Sequence, residues 1–393
     1  MKKLRVGVLF GGRSGEHEIS LLSAASVLKA ISKDKYDVVP IGITKEGRWL
    51  TETHAERLLR GENAPDNGRS LRAGDPQTTP GAAVLAKGEA VIVPPMPRSH
   101  GMIPFESPAQ GANQGIQVDV IFPVLHGTFG EDGTIQGLLE LADIPYVGAG
   151  VLGSAAGMDK DVMKQLFAAA GLAIVKHVTI LRSHWEKDPK KVTRTVESKL
   201  KYPMFVKPAN LGSSVGISKA HHRKELGPAI AIAAGYDRKI VIEQGVGGKR
   251  QKARELECSV LGNDEPTASV VGEIIPCAEF YDYSAKYLDE GSQPVIPAKI
   301  SKKQMKEVQG MAVRAFQAVD CSGLARVDFL MDPTGKGRIY LNEINTMPGF
   351  TSISMYPKLW AASGLEYPDL IDRLIQLALQ RHEEKKKNRY SRN

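Results

Sequence analysis

The chain has 393 residues, 42% apolar and 24% charged, which is enough material for two or three globular domains. Lysine plus arginine exceed aspartate plus glutamate by 52 to 44, but part of the excess sits in a basic tail from His382 that is expected to be solvated and frayed, and the rest is too thinly spread for nucleic acid. Cys258, Cys277 and Cys321 match neither a disulfide framework nor a zinc pattern, the apolar run Leu4–Phe10 is short for a signal peptide, and no run nears the roughly 18 apolar residues of a membrane span, so a cytoplasmic protein with reduced thiols and no membrane partner is expected.

Leu4 to Phe10 is a near-continuous apolar run, as in a strand covered on both faces of a parallel sheet. Gly11, Gly12 and Gly15 then turn the chain into a helix carrying Ile19, Leu22, Ser26 and Ile31, and Tyr36 to Ile43 reads as the next strand, completing a βαβ unit. From Thr51 to Gln117, sixteen of 67 residues are glycine or proline, against 62 of 393 overall. This predicts a partly mobile loop insertion with a short strand near Ala90 to Val93. The α/β texture resumes at Val118–Leu125, with a helix from about Thr134 and a short strand at Ile144–Val147. A helix over Lys160–Ala170 follows, then a strand ending at Lys207-Pro208 and the loop Leu211–Gly216, with a strand from Val215 to Lys219. Lys239–Glu243, two strands between Glu255 and Ile275, a helix over Met305–Val319, and the strands Gly323–Met331 and Arg338–Asn345 complete the pattern.

The last two strands flank the turn Pro333-Thr-Gly-Lys-Gly337. A symmetric hairpin centred there sets Asp328 opposite Glu343 and Arg326 opposite Asn345, all on one face, with Val327, Phe329 and Ile344 on the core face. Directly opposed carboxylates destabilise a sheet unless a cation lies between them. Aspartate, glutamate and asparagine offer only oxygen donors, which suits Mg²⁺. A solvated polar face with a cross-strand ion pair fits the same residues, and a bulge would break the register.

Gly212-Ser-Ser-Val-Gly216 stands just after Lys207 and offers backbone N–H groups and hydroxyls to phosphate oxygens, or simply a turn. No P-loop motif is present. Lys160, Lys164 and Lys286 lie near glycine or tyrosine clusters. Glu16 and Glu18, at a helix start after the first glycine turn, would repel a phosphate there. Glu16 therefore faces a cationic group such as an ammonium, or is an ordinary acidic residue of a first helical turn.

Taken together, Gly11–Ser20, His126–Gln136, Met158-Asp-Lys160, Lys207-Pro208, Gly212–Gly216, Phe280–Tyr287, Arg326-Val-Asp328 and Asn342–Gly349 resemble the D-alanine–D-alanine ligase family of the ATP-grasp superfamily, in order along nearly the whole chain. The resemblance implies a mixed α/β, three-domain ATP-grasp architecture: a Rossmann-like N-terminal domain over 1–148 with its insertion near 51–117, a central subdomain over 149–246, and a C-terminal subdomain over 247–393 carrying the metal site and the tail. It implies that ATP phosphorylates one D-alanine and that the amine of a second displaces phosphate, for peptidoglycan precursor synthesis. Asp328, Glu343 and Asn345 would hold two Mg²⁺ (or Mn²⁺), and Arg326 with the backbone of Gly349 would stabilise the oxyanion. Lys160, Lys207, Ser214 and Lys286 would contact ATP phosphates, and Glu243 and Glu255 its adenine and ribose. Glu16, linked to Ser213 and Tyr287, would receive the first D-alanine's ammonium; Ser354 and His126 would form the second subsite. A homodimer is expected. Ligases making D-alanyl-D-lactate or D-alanyl-D-serine are the alternative, and the loop through Tyr287 reads like the dipeptide-forming kind. Glutathione-synthetase-like ligases would lack the Glu16 and Tyr281–Tyr287 motifs, and a non-catalytic nucleotide sensor would be expected to lack Arg326 or a metal oxygen.

Overall fold

A computed structural model describes residues 3–51, 84–85, 88–95, 101–104, 116–248, 251–275, 293–334, 337–351 and 353–391. Lys286, Tyr287 and Cys277, and the expected mobility of much of the 51–117 segment, lie outside them. The first unit is built from β1 (Leu4–Gly11), α1 (His17–Ala30), β2 (Tyr36–Ile43), β3 (Trp49–Thr51), β4 (Glu89–Ile92), β5 (Gly101–Pro104), β6 (Ile116–Gln117) and β7 (Val120–Pro123). Its sheet runs β6-β5-β4-β3-β2-β1-β7, with β1 parallel to both neighbours and the β3–β6 end antiparallel. The glycine- and proline-rich segment thus contributes strands on both sides of β4 rather than one isolated strand, because its short apolar runs pair edge to edge. The strand expected at Ile144–Val147 is a single bridge, Ile121 to Tyr146.

Two helices, α2 (Thr134–Leu141) and α3 (Val151–Met158), lead into the second unit. This comprises α4 (Lys160–Ala169), β8 (His177–Leu181), α5 (Arg182–Lys187), α6 (Pro189–Lys199), β9 (Met204–Pro208), β10 (Ser218–Ala220), α7 (Arg223–Tyr236) and β11 (Lys239–Gln244). Its antiparallel sheet has the order β10-β9-β11-β8. Asp159 caps α4 by accepting the Asp161 and Val162 N–H groups, which fixes where Lys160 leaves the helix. β10 starts at Ser218, three residues later than expected, because Ser213, Ser214 and Gly216 adopt positive φ and curl the chain first.

After a small ribbon, β12 (Gly247–Gly248) with β13 (Gln251–Lys252), the third unit holds β14 (Arg254–Gly262), β15 (Thr267–Ile275), β16 (Gln293–Val295), α8 (Lys302–Ala318), β17 (Gly323–Met331), β18 (Ile339–Asn345), α9 (Met355–Ala361) and α10 (Tyr367–Lys385). The strand order is β16-β15-β14-β17-β18. A capping box opens α8, with Ser301 and Gln304 exchanging backbone-to-side-chain bonds at 3.2 and 3.0 Å. Its buried Val308, Met311, Ala312, Ala315 and Phe316 form one helical stripe against the sheet.

The C-terminal helix does not stay with its own sheet. Leu370, Ile371, Leu374 and Ile375 of α10 share a core with Val6, Val8 and Phe10 of β1. The Arg381 guanidinium stacks 4.4 Å above the Tyr146 ring and donates to the carbonyls of Gly148 and Tyr146. The tail therefore departs from expectation: the helix runs to Lys385, which pairs with Glu140, while His382 lies 3.6 Å from Asp143. Acidic partners on α2 and just after it hold these basic residues in place.

Candidate active site

The hairpin of β17 and β18 has the anticipated register. Arg326 pairs with Asn345, Val327 with Ile344 and Asp328 with Glu343, after which the pairing shifts so that Phe329 meets Leu341. Asn342 is the extra residue of this bulge, and its carbonyl accepts a hydrogen bond from Lys164 Nζ at 3.1 Å. Val327, Phe329 and Ile344 are buried, leaving the four polar residues on the other face. Glu257 of β14 lies opposite Asp328 on its other side, so three carboxylates (Glu257, Asp328, Glu343) form a row across three strands. The Arg326 guanidinium binds both Asp328 oxygens at 2.7 Å and approaches Glu257 at 3.2 Å. A protein cation thus already touches Asp328, where the sequence alone called for a metal. One guanidinium against three carboxylates still leaves the row negative, and together with Asn345 its donors are all oxygen. That is the chemistry a hard divalent cation requires.

A second charged cluster faces this row from the central sheet. Glu243 on β11 pairs with Lys164 from α4 at 2.8 Å and with Lys207 from β9 at 2.7 Å. Burial favours the neutral acid, but the two ammonium groups outweigh it and hold the Glu243 pKa down to about 2. Burial lowers the Lys164 pKa against the pull of Glu243, whereas Glu243 and Glu343 together raise that of Lys207 despite its burial. Lys164 was only one of several candidate lysines in the sequence; its helical position cannot show that it reaches both Glu243 and a bulge on a different sheet. The Lys164→Met substitution strands the Glu243 charge and orphans the Asn342 carbonyl. It should cost about 3 kcal/mol in a denaturant titration, and should raise KM for ATP with KM for D-alanine unchanged.

Nearby, Lys160 Nζ donates to the Leu211 carbonyl at 2.6 Å, tying α4 to the glycine-serine loop. Ser213 and Ser214 stand at φ of 48° and 60°, and a Cβ on Gly216 would come within 2.6 Å of the Tyr236 ring, so the loop is curled against α7. Glu255 leads β14 on the same side, paired with Leu330.

The third cluster lies where the first sheet meets these loops. Glu16 precedes α1 and is 6% exposed. A Cβ added to Gly212 would lie 3.2 Å from its Oε1 and one added to Gly127 3.5 Å from its Oε2, so loops of two units close on this carboxylate. His126 is buried, with Nδ1 3.2 Å from the Met347 carbonyl and Nε2 3.0 Å from Ser23 Oγ; burial lowers its pKa to about 4. A Cβ on Gly349 would meet Ser354 Oγ at 2.8 Å, and Ser354 Oγ accepts the Thr351 N–H at 3.1 Å, so the backbone of 349 and this hydroxyl adjoin. The described site residues therefore gather in one cleft formed by all three units. Glu131 and Glu257 belong to the same surroundings and went unread in the sequence.

A Rossmann-like unit followed by two antiparallel sheets, with buried lysines on one and an acidic row on the other, defines an ATP-grasp enzyme. The chain belongs to the D-alanine–D-alanine ligase family: the family's "D-ala D-ala ligase N-terminus" matches residues 5–149 and its "D-ala D-ala ligase C-terminus" residues 166–376. The D-alanine–D-alanine ligase of Bacillus cytotoxicus is 48% identical over 391 residues, covering all of both chains. That of Heliobacterium modesticaldum is 50% identical over 388 residues, 99% of this chain and 98% of the relative. Among solved structures, the D-alanine–D-alanine ligase of Coxiella burnetii superposes with a TM-score of 0.81 at 34% identity, covering 98% of this chain and 97% of the other. The VanG D-Ala:D-Ser ligase of Enterococcus faecalis superposes with 0.79 at 37%, covering 96% and 100%.

Proposed function

We propose that the protein joins two D-alanine molecules into D-alanyl-D-alanine with ATP, releasing ADP and phosphate, for peptidoglycan precursor synthesis. The convergence of the Glu16 pocket, the lysine cluster and the acidic row in one cleft carries this reading. Lys160, Lys207, Ser214 and Lys286 hold the ATP phosphates, and Glu243 and Glu255 its adenosine. Asp328, Glu343 and Asn345 would hold two Mg²⁺ or Mn²⁺ ions, and the all-oxygen, net negative row fits them. Bound there, the ions would neutralise charge on the transferred phosphoryl group.

Glu16, with Ser213 and Tyr287, fixes the first D-alanine by its ammonium so that its carboxylate meets the phosphoryl group. Ser354 orients the second D-alanine through its carboxylate, and its amine attacks the acyl phosphate. His126 only lines this subsite: with both ring nitrogens engaged it is a fixed wall, not a proton acceptor. Arg326 and the Gly349 N–H stabilise the oxyanion as phosphate departs, so rate comes from positioning and preorganised charge. The units divide near residues 148 and 246, and the enzyme works in the cytoplasm as a homodimer; among the described residues no helix is long and apolar enough to cross a membrane.

Phosphate release with ATP and Mg²⁺ tests the reading across D-alanine, D-lactate, D-serine and L-alanine. D-Alanine alone should support turnover and L-alanine should not. If release required D-serine beside D-alanine, the chemistry named for the VanG enzyme would be the better description.

A further inference from the structure

We propose that Glu131 is a second carboxylate of the pocket that takes the first D-alanine's ammonium, and that the pocket gives up a proton when that ammonium enters. This rests on the reading of Glu16 given above. Glu131 closes the turn after His126: its N–H donates to the Gly127 carbonyl at 2.9 Å, and its Oε1 accepts the Gly127 N–H at 3.0 Å. The neighbouring Asp132 is used by the loop itself, accepting from the Phe129 and Thr134 N–H groups at 2.8 and 3.0 Å. Glu131 is turned inward instead, where one of its oxygens, one of Glu16 and a ring nitrogen of His126 lie within 4.8 Å of one another, all three residues buried.

Such a trio could suggest a metal, but the histidine is committed. The Met347 carbonyl can only accept, so Nδ1 carries the proton, and Nε2 accepts the Ser23 hydroxyl. The ring has neither a lone pair to offer a metal nor a positive charge to offer the two acids. The other charged groups facing Glu131 are Lys160 of α4 and Arg326 of β17, the first held by Leu211 and the second by Asp328. Two buried carboxylates this close cannot both ionise without a cation. Burial first, and then Glu16, push the Glu131 pKa up to about 8, with Gly127, Lys160 and Arg326 opposing. Near neutrality the free protein therefore stores a proton on the pair. An arriving ammonium supplies the positive charge, and the proton leaves to solvent.

The sign follows from linkage. The form that binds is the deprotonated one, so affinity for the first D-alanine rises with pH up to about 8 and levels off above it. In the full-length protein, KM for the first D-alanine should fall about tenfold from pH 6 to pH 7. Calorimetric titration with D-alanine at pH 7 in phosphate and in Tris should report more protons released by the parent than by Glu131→Gln, the difference approaching one. The variant's KM for D-alanine should be raised and flat with pH, and its KM for ATP unchanged, which a general loss of structure would not allow. Glu131→Asp should restore the proton release.

A folded Glu131→Gln protein with the parent's proton count and pH slope would overturn the proposal. Should that variant not fold, a parent that binds D-alanine without buffer-dependent heat would overturn it equally. A parent that ligates no D-alanine at all would instead reject the underlying functional reading.

Discussion

Glu343→Gln should reduce phosphate release with D-alanine about a thousandfold. The side chain keeps its size and its place opposite Asp328, so packing on the Val327 and Ile344 face is untouched. What changes is the charge of the carboxylate row, and with it the hold on divalent ions. Stability in a denaturant titration should stay within about 0.5 kcal/mol of the parent, since the residue is half-exposed and leaves no cavity. Near-full phosphate release by the folded variant would show that the row does not hold the catalytic ions.

Arg326→Lys should lower turnover about a hundredfold. The guanidinium meets both oxygens of Asp328 in a planar fork and reaches Glu257 as well. An ammonium carries the same charge but reproduces only one of those contacts, so Asp328 loses its fixed orientation and the oxyanion its planar donor. Turnover measured against Mg²⁺ concentration should show both a lower ceiling and a weaker response to the ion. A variant matching the parent's turnover number would remove Arg326 from the chemistry.

Why some of this site was legible and some not follows from the range of the contacts. The pairing of Asp328 with Glu343 is local: a five-residue turn fixes which residues face each other, and strand alternation fixes the side. Glu257 joins the row from a strand that pairs with β17 only after a long excursion through β15 and α8, and no spacing rule reaches that far. The bulge at Asn342 is non-local for the same reason, since the group that satisfies its carbonyl arrives on α4. The parallel βαβ start was readable because its apolar runs are unbroken. The edge strands β3, β5 and β6 were hidden by their shortness and by the glycine and proline around them. Helix α10 carried a plain amphipathic stripe from Leu370 to Ala378, but the net charge beyond it drew attention to solvation instead of packing.

The placement of α10 bears on how the protein is made. Synthesis delivers β1 first and α10 last, yet both belong to one hydrophobic cluster. A chain still attached to the ribosome with only residues up to about 360 exposed carries a first sheet whose outer apolar face has no cover. That face must wait for the final stretch of translation before it is sealed, so an unfinished or clipped product would display a sticky surface, and intactness of the C-terminal end becomes a condition for solubility of the N-terminal one.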